Sequence, residues 1–128
     1  MTTPARIQRR RTKGWRKPDN TVIVTRPSRF GNPFTLAMAY DLGYAQPGET
    51  STARRAVVGA FQEWLRGNRL MWQSEEGDTA RRRLLDGLHE LRGKNLACYC
   101  PLPAEGEPDH CHAAVLLDLA NRPAPAAG

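Results

Sequence analysis

The sequence predicts a small single-domain α/β protein whose sheet is at least partly parallel and covered by helices. Three features lead there: strand-like runs near residues 21–25 and 95–100, helical apolar spacing between and after them, and glycine- or proline-rich joints at each change. A chain of 128 residues fits one domain, placed at 11–121, with a basic and flexible arm over 1–10 and a disordered tail over 122–128.

Thr21-Val22-Ile23-Val24-Thr25 is β-branched throughout and bounded by Asp19-Asn20 and Arg26-Pro27, the clearest strand of the chain and too apolar to be a free edge. RPSRFGNPF follows, with two prolines and a glycine, and must turn without regular hydrogen bonding. Thr35 to Leu42 then reads as a short helix stopped by Gly43. From Thr52, the positions Ala53, Ala56, Val57, Ala60, Phe61, Trp64 and Leu65 recur every three or four residues, which lays one apolar stripe along a helix and leaves Arg54, Arg55, Gln62 and Arg66 on the wet side. Leu70, Met71 and Trp72 are expected to anchor the next segment. Asp78 or Thr79 is the predicted cap of a helix with Leu84, Leu85, Leu88 and Leu91 buried, ended by Gly93. Asn95 to Cys100 is the second strand. The last helix starts near Cys111 and is apolar on nearly every side, so it is expected to be largely buried.

Charge is uneven along the chain. Residues 1–29 hold nine Lys or Arg against one acid, a local charge of +8 where the whole chain carries +6. Such a basic segment concentrates anions, phosphates above all. The first residues lack the apolar stretch of a secretory signal, and no apolar run is long enough for a bilayer, so a cytoplasmic protein without a membrane partner is expected. In a reducing compartment, three closely spaced cysteines read as metal ligands, reactive thiols or buried side chains before they read as a disulfide.

Those cysteines lie in NLACYCPLPAEGEPDHCHAAVLLDLA, with two of the three histidines. Side chains alternate along a strand, so Cys98 and Cys100 project from one face. A return from the strand to the last helix would add Cys111 and His112, the Cys-Cys-Cys-His set that tetrahedral zinc accepts, with His110 competing as fourth ligand. The spacing departs from the usual zinc pattern. A second reading places Cys111 as a thiolate nucleophile at the helix start, His112 as acid or base, or an anion at the same terminus. Plain packing of buried thiols is the third. The three readings stand side by side.

RPSRFGNPF offers the other candidate site. Arg26 and Arg29 can fork onto phosphate oxygens, Ser28 and Asn32 can donate hydrogen bonds, and Gly31 lets a ligand approach the backbone. Ligands of open α/β sheets bind beyond the carboxyl ends of strands, where this loop lies, so it and the Cys/His segment would share one cleft if the two strands run parallel. Upstream, Lys13, Trp15 and Arg16 combine an aromatic ring with cations, as suits a stacked base beside a phosphate. The expected function is binding of a phosphate-bearing ligand, nucleotide or nucleic acid, in that cleft. An enzyme acting on a nucleoside or nucleotide through Cys111 and His112, and a zinc-stabilised interaction module, are the alternatives.

RTKGWR, RPSRFGNPF and LACYCP with the later CHAAVLLDLA resemble, in order and content, the bacterial and phage family catalogued as domain of unknown function 4326. The resemblance covers about residues 9–121 and marks Gly31, Asn32, Pro33 and Phe34, then Cys98, Cys100, Cys111, His112 and Ala113. It implies no activity. This chain departs from the family pattern by a longer and more acidic insert, LPAEGEPDH, between the second cysteine and the CHA motif.

Overall fold

A computed structural model describes residues 3–122; the tail over 123–128 lies outside them. Three parallel strands form the sheet: β1 (Arg6–Gln8), β2 (Thr21–Ile23) and β3 (Asn95–Cys98), in the order β1-β3-β2. Arg6 stands opposite Leu96 and Gln8 opposite Cys98 on one side of β3, while Thr21 stands opposite Asn95 and Ile23 opposite Ala97 on the other. The central strand has neighbours on both sides and cover on both faces, so Leu96 and Ala97 are wholly buried, as parallel sheets require.

Two expectations fail at the sheet. Arg6–Gln8 is a strand and not part of a flexible arm: Ile7 is its one aliphatic side chain, and arginines at 6, 9, 10 and 11 hide it from any hydrophobic pattern. The β-branched run around β2 is an edge, paired to β3 alone. Its apolar character serves the faces of the strand, since Val24, which extends the pairing through its amide to the Ala97 carbonyl at 3.1 Å, is fully buried.

Four helices follow the predicted order. α1 (Leu36–Asp41) is capped by Thr35, whose hydroxyl accepts from the Met38 amide, and Gly43 closes it at φ +80°. α2 (Thr50–Leu65) buries Ala53, Val57, Phe61, Trp64 and Leu65, the expected stripe. α3 (Glu75–Gly87) is capped four or five residues before the predicted caps, because Ser74 accepts from the Gly77 amide and Glu75, Glu76 and Asp78 favour the positive end of the helix dipole. Gly77 is required there: a Cβ would lie 2.7 Å from the Trp72 ring. Trp72 packs 5.9 Å from Trp64 and Met71 joins the same core, but Leu70 is three-quarters exposed and anchors nothing. A 3₁₀ turn (Leu88–Leu91) prolongs α3, and α4 (His112–Asn121) lies against β3, burying His112, Ala113, Leu116 and Ala120. β3 ends two residues before its predicted limit, so Tyr99 and Cys100 belong to the bend beyond it. No helix among the described residues is long and apolar enough to cross a membrane.

Candidate functional site

Parallel pairing sends the carboxyl ends of all three strands to one rim, so Arg9 to Arg11, Thr25-Arg26 and Tyr99-Cys100 emerge together. The Arg9 amide donates to the Cys98 carbonyl at 2.7 Å and its guanidinium to Thr25 Oγ1 at 2.6 Å, which ties the three exits to one another.

At this rim the three sulfurs converge. Cys98 Sγ is 3.8 Å from Cys100 Sγ, and the sulfurs of Cys98, Cys100 and Cys111 all lie within 4.8 Å of one another, close enough to hold a metal ion. All three are free thiols. His112 lies beside Cys98, outside the group of three sulfurs: its Nδ1 is 3.8 Å from Cys98 Sγ and its Nε2 is 2.8 Å from the Val24 carbonyl oxygen. A carbonyl only accepts, so Nε2 carries a proton, and Nδ1 is the ring nitrogen that faces the sulfurs. Phe61 meets the imidazole edge-on at 5.5 Å and fixes its plane. His110 is not in the cluster; it lies in an outer hollow beside Leu102 and Pro108.

The sulfurs share their protons unequally. Hydrogen bonds from Cys100 and Cys111 hold the Cys98 thiol far below the ordinary range, against the burial that opposes its charge, and His112 adds to the effect. The same bonds, to Cys100 and Cys98, hold Cys111 far above it, with burial acting in the same sense. Cys100 is pulled down by Cys111 but pushed up more by Cys98 and by burial, and ends raised. The three sulfurs are therefore coupled in their protonation, and a bound cation would favour the ionised form of each.

The loop carrying this corner is held by an arginine that sequence reasoning assigned to the flexible arm. Arg6, its side chain only 4% exposed, pairs with Asp109 and donates to the carbonyls of Cys100 at 2.8 Å and Pro101 at 2.6 Å. Burial opposes its charge, but Asp109 and the nearby Cys111 sulfur outweigh that and raise its pKa. One guanidinium thus pins both ends of the segment between Cys100 and Cys111. Nothing local in the sequence marks Arg6, because its partner lies 103 residues away.

Between this corner and the RPSRFGNPF loop is a cleft of about 460 Å³. Arg11, Thr25, Arg26, Asn32, Thr35 and Arg54 form its polar wall, Phe34, Leu36, Val57 and Val58 its apolar wall, and Cys98, Tyr99, Cys100 and His112 the remainder. Asn32 is fixed by donating to the Val57 carbonyl at 3.1 Å and accepting from the Phe34 amide at 2.9 Å. Gly31 serves the loop and not a ligand: a Cβ would lie 2.7 Å from Arg26 Cγ and 2.9 Å from Arg26 N, so the glycine is what lets the Arg26 stem lie against the turn. Arg11 is held at the mouth by Tyr99, its guanidinium carbon 4.3 Å from the ring centroid, with Arg9 at 4.7 Å from the same ring.

Of the predicted binding residues, Arg26 and Asn32 line the cleft and the others do not. Ser28 accepts from the Phe30 amide, and Arg29 turns away to pair with Glu90 over Gly87. Lys13, Trp15 and Arg16 are not among the cleft-lining residues and lie in the crossing from β1 to β2. Cys111, the predicted nucleophile, is fully buried and outside the cleft wall. Arg54 is the residue the sequence missed: in the Arg54-Arg55 pair of α2 nothing local separates the one that faces the cleft from the one that faces water.

The family model described as Domain of unknown function (DUF4326) matches residues 7–122. The chain belongs to this family. The match takes in β1 from Ile7 on, the GNPF turn and the Cys/His corner, so Arg6 stands one residue before it and every other element of the site lies within it. No curated protein and no solved structure matches the chain.

Proposed function

We propose that this family member binds a phosphate-bearing ligand, a nucleotide or nucleic acid, in the cleft between the RPSRFGNPF turn and the Cys/His corner. One observation carries the reading. Arg11, Arg26 and Arg54 line a cleft whose wall includes no carboxylate, and none of the three takes part in the ion pairs of the described residues. Three guanidiniums lining one cleft with no carboxylate among them repel each other, and a phosphate dianion relieves that with the bidentate geometry guanidinium favours. Calorimetric titration with adenosine monophosphate and with inorganic phosphate tests it. Arg26→Gln and Arg54→Gln are each expected to weaken binding about tenfold or more, since a hydrogen bond to a charged group contributes about 1.5–3 kcal/mol. Absence of binding by phosphate, nucleotide and oligonucleotide alike would remove the proposal.

A second reading concerns the corner itself, which we take as a zinc site formed by Cys98, Cys100, Cys111 and His112 through Nδ1. A tetrahedral ion with Zn–S bonds of about 2.3 Å holds its sulfurs about 3.8 Å apart, which agrees with the 3.8 Å between Cys98 and Cys100. The Val24 carbonyl on Nε2–H supports it further, because metal-bound histidines commonly donate their second ring proton to such an acceptor. Zinc would supply the positive charge that lets all the sulfurs ionise, in a protein the proposal places in the reducing cytoplasm. Metal analysis of protein prepared without a polyhistidine tag should find one zinc per chain, lost in Cys111→Ser; protein that is metal-free under zinc-replete expression refutes it. The burial of Cys111, outside the cleft wall, counts against the nucleophilic alternative.

A further inference from the structure

We infer that the cleft receives the phosphorylated end of a single nucleic acid strand, and that the next nucleotides follow the basic crossing from β1 to β2. The inference rests on the cleft reading above and specifies its ligand. Size and charge argue it together. A volume of about 460 Å³ is near the lower part of the roughly 300–1,000 Å³ that ligand pockets span, room for one nucleotide and not a second. Within it, the three arginines suit a terminal phosphate monoester, while Phe34, Leu36, Val57 and Val58 give the base an apolar wall.

Cationic character does not stop at the cleft. Arg11 stands at its mouth, and from there Lys13, Arg16 and Lys17 continue along the chain, all exposed, with no acid between them and no carboxylate paired to any of them. At no more than about 3.6 Å of chain per residue, Lys17 lies within about 22 Å of Arg11, a distance of a few nucleotides. Trp15, half-buried in the turn where its amide meets the Thr12 carbonyl, stands among them as a stacking surface. A free mononucleotide would leave this row unused. A strand entering by its end occupies both.

Twelve-nucleotide single strands bearing a 5′-phosphate, a 3′-phosphate or hydroxyls at both ends, in DNA and RNA forms, are to be compared with adenosine monophosphate by calorimetry and by competition against a labelled strand. One phosphorylated form should bind at least tenfold tighter than the hydroxyl-ended strand and than the mononucleotide. Its logarithmic affinity should fall with log salt at a slope of about −2, as for three phosphates neutralised on a single strand. Arg26→Gln with Arg54→Gln should abolish the preference for a phosphorylated end. Lys13→Gln, Arg16→Gln and Lys17→Gln together should cut the ratio of strand to mononucleotide affinity at least tenfold. Equal affinity for phosphorylated and hydroxyl ends, or a mononucleotide that matches the strand in affinity and salt slope, overturns the inference and leaves the cleft reading standing. Loss of all binding, phosphate and mononucleotide included, overturns both.

Discussion

Replacing Arg6 by Met tests how the Cys/His corner is held. The side chain is 4% exposed and its partner Asp109 one-fifth exposed, so the substitution leaves a carboxylate with little water and frees the carbonyls of Cys100 and Pro101. Breaking a buried pair by deleting one partner costs about 3–5 kcal/mol, and the partial exposure of Asp109 argues for the lower end, about 3 kcal/mol. Unfolding entropy near 2.1 cal/mol/K per residue converts that, for 128 residues, into a fall in melting temperature of about 11 °C. Circular dichroism melting under reducing conditions measures it, with and without chelator so that metal linkage is separated from the clamp. Arg6→Lys should recover only part of the loss, since one ammonium cannot span a carboxylate and two carbonyls in the guanidinium's fixed fork. Adding Asp109→Asn to Arg6→Met should restore about 1 kcal/mol or more by removing the stranded charge. A shift below about 3 °C for Arg6→Met, or no recovery in the double variant, would show that the three bonds hold nothing together.

Gly31→Ala forces a methyl against the Arg26 backbone and should cost about 1–3 kcal/mol in chemical denaturation while weakening mononucleotide binding; wild-type values in both would refute the account of the turn. Tyr99→Leu removes the ring under Arg9 and Arg11 and is expected to lower phosphate affinity about three- to tenfold with metal content unchanged, measured by calorimetry and metal analysis. The fourth prediction concerns pH in the reduced, metal-free protein. Cys111 has a raised folded pKa, so it binds a proton that the unfolded chain releases above about pH 8.5, and stability is complete below that value and declines as pH rises. Cys98, with a lowered folded pKa, contributes the opposite slope only below the same unfolded value, so above about pH 9 it no longer compensates. Cys100, also raised, acts in the same sense, so urea denaturation between pH 9 and 10 should show a loss of up to about 2.7 kcal/mol per unit, of which Cys111→Ala removes about half; identical slopes in the two proteins refute it.

What could be seen in the sequence follows the range of the interactions. The stripe of α2 and the Thr35 cap are set by residues three or four apart, and both stand where local spacing puts them. The Cys corner was legible in part, through the close spacing of 98 and 100 and through the adjacent Cys111-His112, although Cys100 lies in the bend past β3 and only the fold sets His112, and not His110, beside Cys98. β1 was not legible: its strand depends on a central partner about 90 residues away, and its key side chain is a charge that nothing nearby neutralises. Arg29 failed for the converse reason. It resembles a ligand residue locally, and its acceptor, Glu90, is 61 residues on.

The two halves of the site are joined by His112 as well as by proximity. Its Nε2 holds the Val24 carbonyl, the last buried residue of the strand that delivers Thr25 and Arg26 to the cleft, while its Nδ1 faces the sulfurs. A sheet of strands only three or four residues long has few ladder bonds with which to fix where its exits lie. The rim is therefore positioned by side chains: Arg6 on the far side of the cysteine loop, His112 on the near side, and Arg9 across all three strand ends. In the proposed zinc-bound state the same imidazole would lock β2 to the metal, so that metal loss should loosen Arg26 before it unfolds the domain. His112→Ala, read by metal content and mononucleotide affinity together, should lower both; a variant that loses metal but binds nucleotide at full strength would separate the corner from the cleft and refute the coupling.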